Sequence, residues 1–216
     1  LSEIFDENGQ LKETIEYKKG EREGLTQSFF SYKKKTGDFS SHLIQESLYK
    51  KGKRHGPSTV FYMNGEVKEL THFKNGLEEG LFESFNERDF KDSILLNEEK
   101  GPLTLEDEQK NARAVSYYQN DLLETRKNFK NGKKEGRMEA FEKGYLVLRG
   151  NYKSDLQDGL WERFKHNGKI SRKTNYKEGK QDGLREIYEK GFLLESAHYK
   201  KGDLHGQNET YYESSN

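Results

Sequence analysis

The chain has 216 residues, and 38 Lys and Arg balance 38 Asp and Glu, which excludes a global field drawing it to nucleic acid or anionic lipid. Only 30% of the residues are hydrophobic and 35% are charged, so a deep enzyme-like core is excluded on composition. Yet 13 Tyr and 13 Phe supply more ring surface than a disordered chain carries.

In chain order, the first patterned run carries Leu11 and Tyr17 and ends at Gly20, with a second glycine at Gly24. This pair, four residues apart, returns at Gly52/Gly56, Gly76/Gly80, Gly132/Gly136, Gly179/Gly183 and Gly202/Gly206. A further copy has Asp155 in the first slot and Gly159 in the second. Successive second glycines are 23 or 24 residues apart, except for steps of 32 and 56 that mark insertions. Self-similarity at a fixed period signals a repeat architecture. Within the unit Gly159–Gly179, two short runs are separated by Lys165-His166-Asn167-Gly168. Asn-Gly tolerates the positive φ of a tight turn, so each unit reads as a β-hairpin. The Asn-Gly pairs starting at Asn8, Asn64, Asn75, Asn131 and Asn167 all fall at turn slots.

Alternation supports strands. First runs carry Leu81, Glu83, Phe85; Leu160, Glu162, Phe164; and Leu184, Glu186, Tyr188. Second runs carry Val67 and Phe73, Ile170 and Tyr176, or Leu193 and Tyr199. Even spacing puts each set on one sheet face. The fold class is therefore all-β: tandem β-hairpin repeats forming an elongated twisted antiparallel sheet of about sixteen strands, stabilised by stacked neighbours. The aromatics form one continuous stripe. The second glycines, Gly24, Gly56, Gly80, Gly136, Gly159, Gly183 and Gly206, are the turn glycines that reverse the chain between units. One repeat domain of about eight units spans 1–216, with insertions near 31–47 and 86–113.

Two segments depart from the pattern. Ser31–Ser47 contains Lys33-Lys34-Lys35 and Thr36-Gly37 and reads as a hairpin whose turn and strands are extended or, more plainly, as a lengthened loop. In the second insertion, Thr104 followed by Asp107 starts one short helix over 104–112. Tyr117–Asp121 is the recognisable half of a decayed copy.

Little in the chain points to chemistry. It has no cysteine, hence no disulfide or thiolate metal site. His55 and His205 occupy a slot filled elsewhere by Glu23, Glu79, Glu135, Asp158 or Asp182, and His72 and His198 one shared with Asn128, Asn151 and Asn175. Periodic polar slots are structural, so no catalytic, cofactor or metal residue is expected. Glu83, Glu139, Glu162 and Glu186 recur on the first strand and are expected to pair with cross-strand bases such as Arg172. Basic residues are interleaved with acidic ones, so no nucleic acid is expected, and the absence of dense polybasic clusters disfavours a membrane surface. On the face opposite the aromatics, Met138, Trp161 and Ile187 form an apolar row that is either a candidate contact surface or a second small core covered by loops or adjacent strands, with Phe82 in the slot of Met138 and Trp161 in an earlier unit. The start at Leu1 rather than Met fits a removed leader, tilting the expected location toward extracytoplasmic or secreted.

The stretch Tyr176-Lys-Glu-Gly-Lys-Gln-Asp-Gly-Leu184, with Trp161 and Asn167-Gly168 before it, resembles the bacterial variant of the MORN repeat. The copies most similar to it are Tyr152–Tyr176 and Tyr176–Tyr199. The resemblance implies tandem hairpin modules that bind or scaffold, some antitoxin-like and others surface or secreted proteins. The expected function is a non-enzymatic scaffold for an unidentified protein partner. The alternative is a surface-exposed binder of a ligand, glycan or membrane.

Overall fold

The structure, a computed structural model, describes residues 1–87 and 122–212. Among these residues there are sixteen strands, paired antiparallel, and no helix. The helix expected over 104–112, the fragment Tyr117–Asp121 and nearly all of the second insertion lie outside the described residues. The chain divides into two compact units, Leu1–Leu122 and Leu123–Asn216.

The first unit contains β1 (Ser2–Phe5), β2 (Leu11–Lys18), β3 (Glu21–Lys33), β4 (Phe39–Lys50), β5 (Lys53–Phe61), β6 (Val67–Lys74), β7 (Leu77–Glu78) and β8 (Gly80–Phe85). They pair in chain order, with β7 and β8 both on β6. The second contains β9 (Leu123–Lys130), β10 (Lys133–Glu142), β11 (Tyr145–Lys153), β12 (Leu156–Phe164), β13 (Ile170–Lys177), β14 (Lys180–Glu189), β15 (Phe192–Lys200) and β16 (Asp203–Thr210). It is a meander in which every strand pairs with its chain neighbours.

Two residues at positive φ make the tight reversals. Between β13 and β14 they are Glu178 (φ 52°) and Gly179 (φ 78°), the two-residue geometry whose twist matches that of the strands. Lys19-Gly20, Lys51-Gly52 and Asn131-Gly132 do the same, as does Ser154-Asp155 without any glycine. The reversal therefore falls at the first member of each pair. The second glycines do not turn the chain. Gly24, Gly56, Gly136, Gly159, Gly183 and Gly206 lie inside strands and Gly80 opens β8, all at positive φ. At Gly183 the β13–β14 register slips between Thr174 and Tyr176, which is a bulge. The reversal is already complete four residues earlier, so the extra residues kink the strand. The residue before each aromatic fills this bulge. Asn175 Nδ2 donates to the Leu184 carbonyl at 3.0 Å, and Glu16 Oε2 accepts from Leu25 N at 3.1 Å.

Directly opposed residues share a face. In the first unit Ile15, Thr26, Ser47, Ser58 and Thr71 form one buried row across β2–β6. Ser47 Oγ and Ser58 Oγ are hydrogen-bonded at 2.7 Å within it. The Arg22 guanidinium lies 5.4 Å from the Tyr49 ring centre and reaches Glu13 at 3.5 Å. Arg54 stacks over Phe73 at 4.0 Å. These stems and rings shield small side chains that cannot form a thick core themselves.

The aromatics form two stripes rather than one. Tyr152, Tyr176 and Tyr199 share the face of Trp161. Phe164 and Tyr188 share the opposite face with the carboxylates, beside Arg149 (5.1 Å) and Lys173 (5.4 Å). The bulges break the period of two between the turn and the strand centre, so parity counted from the turn does not carry across them.

Candidate interaction surface

Trp161 is not an exposed anchor. It is 4% exposed, between Tyr152 (centroids 5.2 Å) and Tyr176 (6.2 Å), both edge-on. Its Nε1 donates to the Asn151 carbonyl at 3.2 Å. Gly150 makes the space. A Cβ there would lie 2.2 Å from the indole Cδ2, so only a residue without one lets the ring lie on the β11 backbone. Gly150 is outside the paired-glycine pattern, the one sequence signal that could have revealed the buried ring.

The candidate row does not come together as expected. Met138 opposes Lys127 and Gly150, Trp161 opposes Thr174, and Ile187 opposes Arg172 and Glu195. Ile187 is thus one row away from Trp161, with Arg163 and Arg172 between it and Leu148. Met138 and Ile187 are half-buried, as is Phe82 in β8 of the other unit. Ile187 stands four residues after Gly183, whereas Met138 and Trp161 stand two after Gly136 and Gly159; the residue equivalent to them, Arg185, does share the Thr174 row with Trp161.

The recurrent carboxylates are consumed by the sheet. Arg126, Glu139, Arg149, Glu162, Lys173 and Glu186 oppose one another across β9–β14, alternating in sign. Arg149 Nε donates to Glu162 Oε2 at 2.6 Å. That hydrogen bond is the main cause of the raised Arg149 pKa. Lys173 reaches Glu186 at 3.8 Å. The expected partner Arg172 is on the other face, opposite Arg163 and Ile187, because it sits one residue out of phase with Glu162. In the first unit the equivalent row is neutral in part. Gln27 Nε2 donates to the buried Glu46 Oε1 at 2.6 Å.

At Glu23, Glu135 and Asp182 the acidic slot that follows a tight turn clasps the next turn. Lys51 N donates to Glu23 Oε2 at 2.7 Å while Gly52 N donates to the Arg22 carbonyl at 2.9 Å. Ser154 N donates to Glu135 Oε2 at 2.8 Å, and Lys201 N to Asp182 Oδ2 at 3.2 Å. These bonds give three of the recurring acids a structural role. No group of three His, Cys, Asp or Glu able to hold a metal occurs among the described residues.

Large apolar side chains stay open to solvent. In the second unit Leu156, Leu160, Phe192, Leu194 and Leu204 are exposed. In the first, β3 and β4 extend beyond their neighbours. β2 pairs with β3 only as far as Glu13–Ser28, and β5 with β4 only as far as Gln45–Val60, whereas β3–β4 pairing continues to Lys33–Phe39. Between the two readings of this insertion, the strands are lengthened and not the loop. Its turn is the repeat's ordinary one, with Lys34 N donating to the Asp38 carbonyl and Gly37 N to the Lys34 carbonyl, as Lys165 N and Gly168 N do in the second unit. Phe30, Tyr32 and His42 stack on one face of this ribbon. Sequence reasoning missed the stack, since it depends on cross-strand register.

Three stretches, residues 1–19, 54–75 and 157–178, match the family model of the MORN repeat variant. No curated protein matches the chain. Each matched stretch ends on the first residue of a tight turn, Lys19, Asn75 or Glu178. Each also contains one five-residue loop, closed by Asp6 and Gln10, Tyr62 and Glu66, or Lys165 and Lys169. Hairpins closed by Lys143-Gly144 or Lys190-Gly191, or lengthened as in β3–β4, lie outside the matches.

Proposed function

We propose that the chain is a non-enzymatic repeat scaffold that binds a protein partner on the surfaces of its sheets. One observation carries this reading. The recurrent polar side chains are engaged within the sheet, as charge ladder or turn clasp, while large apolar side chains stand in solvent. Within each unit the described strands belong to one sheet. Apolar surface left on a framework whose polar groups are otherwise occupied suits contact rather than catalysis. The antitoxin-like role is the form of this reading in which the partner is a toxic protein.

Trp161→Ala would be a poor test, because it empties a core site. Leu160→Asp and Leu194→Asp change exposed positions and leave the framework intact. The immobilised chain should retain a discrete partner that mass spectrometry identifies, and the paired Asp variant should lose it while keeping its circular dichroism spectrum. Retention by the variant, or turnover of a substrate by the purified chain, would refute the reading.

A further inference from the structure

The lengthened hairpin departs most from the repeat, and its extra length builds no core. Residues 29–33 and 39–43 pair only with each other. Their outward backbone groups are therefore free of any ladder, on both edges of a two-stranded ribbon. Isolated ribbons of this kind are marginal in water. This one is held together by side chains that differ between its faces. On one face Ser31 Oγ and Ser41 Oγ are hydrogen-bonded at 2.6 Å. On the other, the registers Phe30–His42 and Tyr32–Ser40 align three rings. Phe30 and Tyr32 have centroids 6.5 Å apart at 29°, and Tyr32 and His42 are 5.6 Å apart at 10°. Ser40 Oγ lies 3.1 Å from His42 Nε2, fixing the imidazole. The platform is nonetheless open, with Phe30 48% and Tyr32 43% exposed.

The charge at the tip is one-sided in a chain whose net charge is zero. Lys33, Lys34 and Lys35 are exposed there, and Asp38 is the only acid between Phe29 and His42. A ring platform beside three ammonium groups suits a ligand with both a flat or apolar group and carboxylates. The two free backbone edges favour a peptide over a lipid headgroup or a nucleic acid, because only a peptide can extend the ladder with its own N–H and C=O groups.

We propose that the projecting β3–β4 hairpin is the docking site for an acidic peptide segment of a partner, carrying an aromatic side chain that stacks on Phe30, Tyr32 and His42. It rests on the scaffold reading and specifies the partner's chemistry. The incoming strand pairs along the ribbon, its ring joins the stack, and its carboxylates face Lys33–Lys35.

Fluorescence anisotropy of the full chain with a labelled Glu-Tyr copolymer tests this. Parallel arms use a Lys-Tyr copolymer, phosphatidylserine vesicles and oligo-thymidine. Binding of the Glu-Tyr probe should weaken roughly tenfold or more in Phe30→Ser/Tyr32→Ser and in Lys34→Glu/Lys35→Glu. Added salt should weaken the wild type more than the charge variant. The Lys-Tyr probe should not bind. Circular dichroism guards against unfolding, and the Lys substitutions lie in an exposed turn where no side-chain contact is lost. Equal affinity of wild type and both variants, no binding of the Glu-Tyr probe, or preference for vesicles or oligo-thymidine would each overturn the proposal. If the hairpin variants still capture the partner that Leu160→Asp/Leu194→Asp loses, the scaffold reading stands and this inference falls. If the probe binds at the hairpin but no partner is captured, the scaffold reading fails and the site remains.

Discussion

Replacing Gly150 by Ala tests the packing of the second unit most sharply, because the expected sign is opposite to the usual one. At an extended position with free space, Gly→Ala is neutral or stabilises by about 0.4–1 kcal/mol through the unfolded chain. At Gly150 the new methyl would lie 2.2, 2.4 and 2.7 Å from Cδ2, Cε2 and Cγ of Trp161. Carbon atoms approach to about 3.5–4.0 Å, so the indole must retreat by about 1 Å or more. The β11 backbone is held at Gly150 by Met138 of β10 and, on the β12 side, by the pairs Arg149–Glu162 and Asn151–Asp158 that flank it. The ring would move against Tyr152 and Tyr176 and pull Nε1 from the Asn151 carbonyl. Overpacking costs about 1–3 kcal/mol, the hydrogen bond about 0.5–1.5 kcal/mol and the edge-on ring pairs about 0.5–1.5 kcal/mol. These losses overlap, and we expect a net destabilisation of about 3 kcal/mol. Trp161 is the single tryptophan, so denaturant unfolding followed by its fluorescence reports the site directly, and the native emission should shift to the red. In a Trp161→Ala background, followed by circular dichroism because no tryptophan remains, the same Gly150→Ala change should be nearly neutral, giving a coupling energy close to the whole cost. If Gly150→Ala lies within about 0.5 kcal/mol of wild type with unchanged emission, the account of the indole resting on glycine backbone is wrong.

Gly24→Ala combines φ +100° with a Cβ in contact with the Glu16 carboxylate and should cost about 1–3 kcal/mol by thermal or denaturant melting; Gly20→Ala, with nothing near its Cβ, should bear the backbone part alone. Removing a turn clasp by Glu135→Ala should destabilise the second unit by about 0.5–1 kcal/mol, whereas Glu135→Gln keeps an acceptor for Ser154 N and should recover most of it; hydrogen exchange at Ser154 should rise only in the Ala variant. The Tyr188 phenol has its pKa raised, first by burial and then by Glu186, against the smaller opposing effect of Lys173. Because the folded value lies above the unfolded one, the stabilisation is complete below the ordinary phenol pKa of about 10 and is lost as pH rises through the folded value. Alkaline absorbance titration should show a late-ionising tyrosine that disappears in Tyr188→Phe, and stability should decline less steeply at high pH in that variant.

The period of 23–24 residues, the hairpin in each unit and the location of the Asn-Gly turns could be read from the linear sequence, because these depend on local backbone chemistry. Asn167-Gly168 closes its loop and Glu178-Gly179 its reversal whatever packs around them. The linear pattern also placed Glu139, Glu162 and Glu186 in one recurring slot and predicted that bases would pair with them. It did not decide which bases: Arg149 and Arg172 stand equally far from the second glycines before them, Gly136 and Gly159, but the hairpin closed by Lys143-Gly144 is one residue shorter than the one closed over Lys165 and Lys169, so Lys173 rather than Arg172 takes the place of Arg149. The bulges moved the second glycines from turns into strands and divided Tyr176 from Phe164 across the two faces. The burial of Trp161 came from one missing Cβ on a neighbouring strand, and the ring stack of Phe30, Tyr32 and His42 from alignment across a lengthened hairpin. Local propensity acts over a few residues and is written in order along the chain. Facing, burial and pairing arise from residues ten or more positions apart, and the register between strands, which only the assembled sheet fixes, decides them.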